Sequence, residues 1–374
     1  MIRFLHSSDL HLGKRFGNLP AELRGRLREA RHGVIGRLAA IAHARGADVV
    51  LLAGDTFDTE TPTPDIRRQA LAEMGHHAPL RWVLLPGNHD SLQAAQLWTA
   101  LAQDKPDNVL LAVEPRVMEL SPGVALLPAP CTTRRPGRDL TDWMDTAATQ
   151  DGMIRLGLAH GAIYDFSEDS GASNLLPPDR ALRSRLDYLA LGDWHGAMEV
   201  NPRTRYSGTP EPDRFKHDRP GQALLVSIAA AGAVPDVEAV ETGTFLWRTE
   251  PLHLLPQDDP ARLLDALLPT GTSRRRSLTR IAAAGRTSLA GRSTLAAAIA
   301  HAAPEFASLD LDANGLETEC EAADLDLIDR AGALRDAAES LRRESLDETK
   351  SLAERQTARA ALIRLFSYCQ KIAS

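Results

Sequence analysis

The chain has 374 residues, 43% of them apolar and 25% charged, with a formal net charge of −7. That length exceeds one typical domain and supplies a real core, so two domains or one large domain with appendages are expected. The mild acidity argues against a protein that coats nucleic acid non-specifically, although local patches matter more than the sum.

The N-terminus, Met1-Ile2-Arg3-Phe4-Leu5-His6, reads directly as a strand, and no apolar run approaches the ~20 residues of a membrane span. Cys131, Cys320 and Cys369 are far apart, with neither metal-type spacing nor a disulfide framework. A reducing, cytoplasmic location is expected. Up to about residue 245, short apolar strands alternate with helices. Strands are predicted at 2–7, 49–53, 82–85, 124–127, 156–159 and 188–191, and helical periodicity covers 22–44 and 65–77. This is the layout of an α/β enzyme whose site lies at the strand ends. After a strand around 245–247, a smaller strand–helix–strand–helix–strand pattern follows, at 252–255, 261–268, 278–283, 294–302 and 308–311.

From residue 268 to 304 there is no Asp or Glu, yet Arg274, Arg275, Arg276, Arg280, Arg286 and Arg292 all fall there. The Arg274–Arg276 run reads either as a solvated loop or as a phosphate-binding patch. Beyond about residue 322 the chain becomes helical. Ala358, Leu362, Leu365, Cys369 and Ile372 form one stripe of a helix, which either packs back onto its own domain or docks a partner. The expected divisions are 1–247, 248–321 and 322–374.

Five motifs sit at strand ends: Asp9-Leu10-His11, Gly54-Asp55-Thr56-Phe57-Asp58, Gly87-Asn88-His89-Asp90, His160-Gly161 and Gly192-Asp193-Trp194-His195. Each alone is weak, since an isolated Asp-x-His or Gly-Asp is usually a turn or a cap. All five together, each after an apolar strand, point to a metal centre. A phosphodiester is anionic, so its hydrolysis calls for charge neutralisation and a water of lowered pKa. Two divalent ions ~3.5–4 Å apart provide both. A bridging carboxylate among mixed oxygen and imidazole ligands suits Mn, Fe or Zn better than calcium.

This motif set resembles the calcineurin-like metallophosphoesterase superfamily and, more narrowly, the SbcD-type DNA-repair exonucleases. The narrower likeness rests on His6-Ser7-Ser8-Asp9-Leu10-His11-Leu12-Gly13, on Ser91 after Gly-Asn-His-Asp, and on Tyr206-Ser207-Gly208-Thr209-Pro210. The resemblance covers residues 1–230, with less force beyond. It implies a four-layer α/β/β/α sandwich of two mixed sheets, a small α/β cap over DNA, and a helical C-terminal tail. It also implies that Asp9, His11 and His195 hold one metal, that Asp55 bridges, and that Asn88 and His160 hold the second. His89 would assist catalysis at the scissile phosphate, with Asp58 and Asp90 orienting imidazoles.

The family's last motif is usually Gly-His-x-His, and Asp193 stands where the first His belongs. As a ligand, Asp193 makes three carboxylates and favours Mn or Mg; otherwise it bonds a neighbouring His or water and leaves the second site weak. Arg214 and His217 are candidates for substrate contact, whereas His32, His43, His76 and His77 read as surface residues and Trp194 as packing. The implied function is a Mn-dependent DNA exo/endonuclease of a repair complex. The implied partner is an SbcC-like coiled-coil ATPase, necessarily a separate subunit because the chain has no Gly-x-x-x-x-Gly-Lys-Ser/Thr loop. A homodimer is compatible with the sequence. The rival readings are a small-molecule or cyclic-nucleotide phosphodiesterase or phosphatase, and a catalytically weak DNA-end-binding subunit.

Overall fold

The computed structural model describes residues 1–163, 175–216, 218–319, 325, 328 and 332–373, and falls into two units, Met1–Trp247 and Arg248–Ser374. The first unit begins with β1 (Ile2–Ser7), α1 (Ala21–His32), α2 (Val34–Arg45), β2 (Val49–Leu52), α3 (Pro64–His76), β3 (Arg81–Leu84), α4 (Ala95–Asp104) and β4 (Val109–Leu111). Next come β5 (Met118–Ser121), β6 (Val124–Ala129), β7 (Ile154–His160), β8 (Ala162–Ile163), β9 (Leu175–Leu176), α5 (Arg180–Arg183) and β10 (Tyr188–Gly192). β11 (Met198–Asn201), β12 (Thr204–Tyr206), β13 (Gln222–Ile228) and β14 (Asp236–Glu241) complete it.

Two six-stranded mixed sheets result, ordered β14-β13-β1-β2-β3-β4 and β11-β12-β10-β7-β6-β5. The period-two alternation of side chains decides what each face meets. In β2, Val49 and Leu51 join Phe4, Val83, Leu126, Leu156, Leu158 and Tyr188 between the sheets. Val50 and Leu52 face the other way, under Leu38, Leu71, Met74 and Trp98 of α2, α3 and α4. On the outer side of the second sheet, Leu127, Leu189 and Leu191 lie under Met144, Ala181 and Leu186. The layers are therefore α/β/β/α, as the motifs implied, the fourth built from short helical turns. Strands buried on both faces read as continuous apolar runs, which is why β1, β2, β3, β7 and β10 stand out in the sequence.

The differences have physical causes. The helical stretch at 22–44 breaks at Gly33 into α1 and α2. β13 escaped prediction because it follows a long irregular segment and pairs antiparallel with β1, outside the strand–helix rhythm. The strands expected at 245–247 and 252–255 are one, β15 (Leu246–Leu254).

β15 pairs with β16 (Ser277–Ser288), and β16 with β17 (Ser308–Glu319), in a sheet packed by α6 (Pro260–Leu267) and α7 (Leu289–Ala302). Here the acid-free arginine window acquires acids in space. Arg274 pairs with Glu305 at 2.7 Å, donates to the Pro269 carbonyl and lies over Phe306, and Arg286 reaches Glu319 at 3.3 Å. Arg280 stands opposite Asp310 in the ladder, while Arg292 donates to Leu316 O and Thr318. Arg274 thus takes part in its unit's own packing, while Arg275 and Arg276 are exposed. The tail forms α8 (Ala333–Leu346) and α9 (Leu352–Ala373). Its buried stripe is Ala358, Leu362 and Phe366, with Leu362 and Phe366 packed on Leu289 and Ala338. Leu365 and Cys369 only flank it, and the Ile372 side chain and Cys320 lie outside the described residues. The stripe therefore packs within its own unit. Among the described residues, no helix is long and apolar enough to cross a membrane.

Leu158→Ala, in the fully buried layer between the sheets, should lower unfolding stability by about 2–5 kcal/mol. Leu352→Ala, 63% exposed, should stay within about 0.5 kcal/mol. Urea unfolding followed by tryptophan fluorescence measures both.

Candidate metal centre

β1, β2 and β3 run parallel in one sheet and β7 and β10 run parallel in the other. The segments leaving their carboxyl ends carry every motif. Asp9 and His11 follow β1, Asp55 follows β2, Asn88 and His89 follow β3, His160 ends β7, and Asp193 and His195 follow β10. The structure brings all eight together.

The His11 and His195 Nε2 atoms lie 3.2 Å apart, and Asp9 Oδ1 stands 3.9 and 3.8 Å from them. Asp55 Oδ2 is 3.7 Å from His11 Nε2 and 3.6 Å from His160 Nε2, so it faces both halves of the site. His160 Nε2 is 3.7 Å from Asp193 Oδ1, which accepts from Asn88 Nδ2 at 3.0 Å. Three sets of metal-capable side chains result: Asp9, His11 and His195; Asp9, Asp55 and His160; and His11, Asp58 and His89.

Second contacts decide which atom of each side chain is left over. Asp9 Oδ2 accepts from Ser8 Oγ and the Asp193 amide, while Asp9 Oδ1 is buried without a hydrogen-bond partner among the described residues. Asp55 Oδ1 accepts from the His89 amide, leaving Oδ2 for the centre. Asn88 spends its amino group on Asp193, and its buried Oδ1 has no partner among the described residues. His160 Nδ1 bonds the Ala53 carbonyl at 2.8 Å, which turns Nε2 inward. Donors ~2.1 Å from one ion stand roughly 3.0–3.5 Å apart at ordinary coordination angles. The observed spacings, slightly wider, and the two unpartnered oxygens fit divalent cations.

The backbone is shaped for this before any ion binds. Asp9, His11, Asp55 and Asp193 have φ of 56°, 44°, 53° and 99°, left-handed values that non-glycine residues adopt at a cost. A Cβ at Gly87 would lie 2.1 Å from Asp55 Oδ1, so the chain can approach the carboxylate only without a side chain.

Asp58 Oδ1 stands 3.4 Å from His11 Nδ1, and the Asp58 carbonyl accepts from His89 Nδ1 at 2.9 Å. Asp90 does something else. Its carboxylate accepts the amides of Gly87 and Phe57 and so clamps the loop carrying Asn88 and His89, rather than orienting an imidazole. Asp213, which the motifs did not flag, stands 3.3 Å from His195 Nδ1 and 2.6 Å from Lys14 Nζ. A metal-bound histidine commonly has a carboxylate behind it. That rule points to an acid near the Tyr206–Pro210 segment, but no strand end marks this one. Arg31, 1% exposed, donates to the carbonyls of Leu10 and Glu211 and ties the Asp9–His11 loop to the Asp213 loop. Arg214 donates to Asp213 and places Nη2 3.3 Å from His195 Nδ1. Trp194 packs on the second sheet's outer core, as expected, and His217 lies outside the described residues. His6 is structural, bonding Tyr188 OH at 2.9 Å and Leu191 O at 3.1 Å across the two sheets.

The electrostatics call for a cation. Burial pushes Asp55 well above the usual carboxylate range and raises Asp193. Burial also disfavours charge on His160, but Asp55, Asp9 and Asp193 outweigh it and hold the imidazole at about 9. Burial, then His195 and Arg31, keep His11 neutral. Asp213 is depressed far below the carboxylate range, since His195, Arg31 and Lys14 outweigh its burial.

Without metal, His160 therefore carries a proton below about pH 9 that a cation must displace. Apparent metal affinity should rise about tenfold per pH unit up to that point and be lost as pH falls. Calorimetric titration in buffers of different ionisation enthalpy reads both the affinity and the proton released. An affinity flat from about pH 6.5 to 8.5 would show that no such proton competes.

Residues 2–226 match the calcineurin-like phosphoesterase family. The SbcD component of the nuclease SbcCD from Rhodobacter capsulatus is 26% identical over 283 residues, 63% of this chain and 68% of that protein. The protein of the same name from Escherichia coli K12 is 35% identical over 99 residues, 24% of this chain and only 22% of that protein. The crystal structure of TT1561 from Thermus thermophilus covers 64% of this chain and 99% of its own, at a TM-score of 0.42 and 10% identity. With the family match spanning most of the chain and the donor set assembled at its strand ends, this protein belongs to the calcineurin-like phosphoesterases, a family of metal-dependent hydrolases.

Proposed function

We propose that this chain is a DNA exo/endonuclease subunit that uses two divalent ions, Mn in preference to Mg, Fe or Zn, to hydrolyse phosphodiester bonds in DNA repair. The observation that carries the reading is the inward convergence of spare donor atoms from both sheets, centred on Asp55 Oδ2. The similarity to proteins named as part of the nuclease SbcCD supports the substrate. The same name supports a second subunit, which we take to be a coiled-coil ATPase. Three carboxylates in the donor set favour harder ions.

Asp9, His11 and His195 would hold one ion and Asn88, His160 and Asp193 the other, with Asp55 facing both sets of donors. The bound pair supplies charge neutralisation of the phosphoryl oxygens and a water of lowered pKa. His89 serves the leaving group. Its Nδ1 donates to the Asp58 carbonyl, so the ring must be doubly protonated to act: the imidazolium passes its Nε2 proton to the departing oxygen and is left as the neutral Nδ1–H ring. Asp58 and Asp213 fix the rings of His11 and His195. Arg214, half exposed beside His195, meets a non-bridging phosphate oxygen. Residues 248–321 serve as a cap for DNA. Residues 322–374, whose exposed side chains include Leu346, Leu352 and Tyr368, serve as the partner-docking segment.

Asp55→Asn should remove most bound metal and nearly all cleavage, because a neutral amide holds two cations poorly. Wild-type rates in that variant, on duplex DNA and on bis-p-nitrophenyl phosphate, would rule out the two-metal mechanism. Turnover of nucleotides but not of DNA would favour a small-molecule phosphodiesterase instead.

His89→Ala should keep both metals, read by elemental analysis of the dialysed protein. Turnover should drop by roughly 10²–10⁴-fold. Loss of metal in step with activity would make His89 a ligand rather than a proton donor.

A further inference from the structure

The loop from Cys131 to Asp139 reads Cys-Thr-Thr-Arg-Arg-Pro-Gly-Arg-Asp and holds no acid between its ends. It leaves β6, which pairs parallel with β7 so that Ala129 stands opposite Ala159, the residue before His160. The loop therefore emerges at the edge where the metal donors gather. Both of its ends are fixed. The Cys131 amide donates to Pro86 O and the Leu92 amide to Cys131 O, tying the start to the segment that carries Asn88 and His89. At the far end Asp139 accepts from the Thr141 amide and hydroxyl and from the buried Arg180. Pro136 and Gly137, the latter at φ 68°, turn the chain between the anchors.

Arg134, Arg135 and Arg138 are all exposed on this loop. None of the three side chains makes a hydrogen bond or ion pair among the described residues. In a chain of net charge −7, three guanidinium groups stand on a braced segment that leaves β6 at the strand ends bearing the metal donors. Guanidinium is the side chain best matched to phosphate geometry, and it is more weakly hydrated than ammonium.

We infer that Arg134, Arg135 and Arg138 form a phosphate-backbone track for a polynucleotide, holding the strand beyond the phosphate being cut. The inference rests on the nuclease reading and deepens it. It places sequence-independent affinity on the unit that bears the metal donors. Arg138 stands four positions after Arg134, a reach of at most about 14 Å, enough to engage successive phosphates of one strand.

The test is a triple variant, R134A/R135A/R138A, beside R134K/R135K/R138K, with binding to a fluorescent duplex oligonucleotide followed by anisotropy across a salt series. The Ala variant should bind on the order of tenfold or more weakly, and its log–log salt slope should flatten by about 2.7 if three contacts are lost. The Lys variant should keep most of the slope. Hydrolysis of bis-p-nitrophenyl phosphate should be the same in all three proteins. Unchanged affinity and slope in the Ala variant, with normal binding by the wild type, would overturn the track while leaving the nuclease reading intact. Equal loss of small-diester hydrolysis would also overturn it, by assigning the loop to the hydrolytic centre. A wild type that binds no oligonucleotide would take the nuclease reading down first, and the track with it.

Discussion

One carboxylate oxygen, Asp55 Oδ2, is the point on which the site depends. It is buried within 3.7 Å of imidazoles presented by both sheets, and its partner oxygen is pinned by a backbone amide. Placing that group beside Asp9 and Asp193 is electrostatically unfavourable unless positive charge arrives. Protein atoms alone answer with a protonated His160 and raised carboxylate pKa values. Divalent cations answer better, since they neutralise several carboxylates at once and leave the imidazoles neutral. The strained backbone, the amide clamps and the glycines all keep this cluster from relaxing apart.

The clamps have a common design. One atom of each donor is used against the scaffold and the other is left for the centre: Ser8 on Asp9, the His89 amide on Asp55, Asp193 on Asn88, Ala53 on His160. Such pairs lower the freedom each donor loses on binding an ion and set which tautomer it presents. Arg31 extends the principle by joining two loops through their carbonyls rather than through a donor side chain.

The fold's centre and the donor set were legible in the sequence for one reason. Doubly buried parallel strands are continuous apolar runs, and the residues just past them have no packing to explain them. What stayed hidden has a different logic. Asp213 serves His195 from 18 positions away, on an irregular segment where nothing periodic marks it. β13 is a middle strand, but it returns antiparallel after a long excursion, and sequence neighbours do not announce that pairing. The acid-free Arg274 window is less one-sided in space than in sequence, because Glu305 and Glu319 lie just past its edge and folding brings them back. Linear charge counts do not see pairing of that kind. The arginines at 134, 135 and 138 form no long acid-free run, yet they lie on a loop that leaves the strand ends bearing the metal donors.

The two halves of the donor set ride on different sheets: Asp9, His11, Asp55 and Asn88 on one, His160, Asp193 and His195 on the other. Among the described residues, no ladder hydrogen bonds join the two six-stranded sheets to set the gap. The apolar layer holding Phe4, Leu51, Leu158 and Tyr188 does, together with His6 reaching across to Tyr188 and Leu191. The hydrophobic filling therefore acts as a shim. Its thickness sets how far apart the two halves stand, so a methyl group gained or lost well away from any ligand changes the bite of the whole centre.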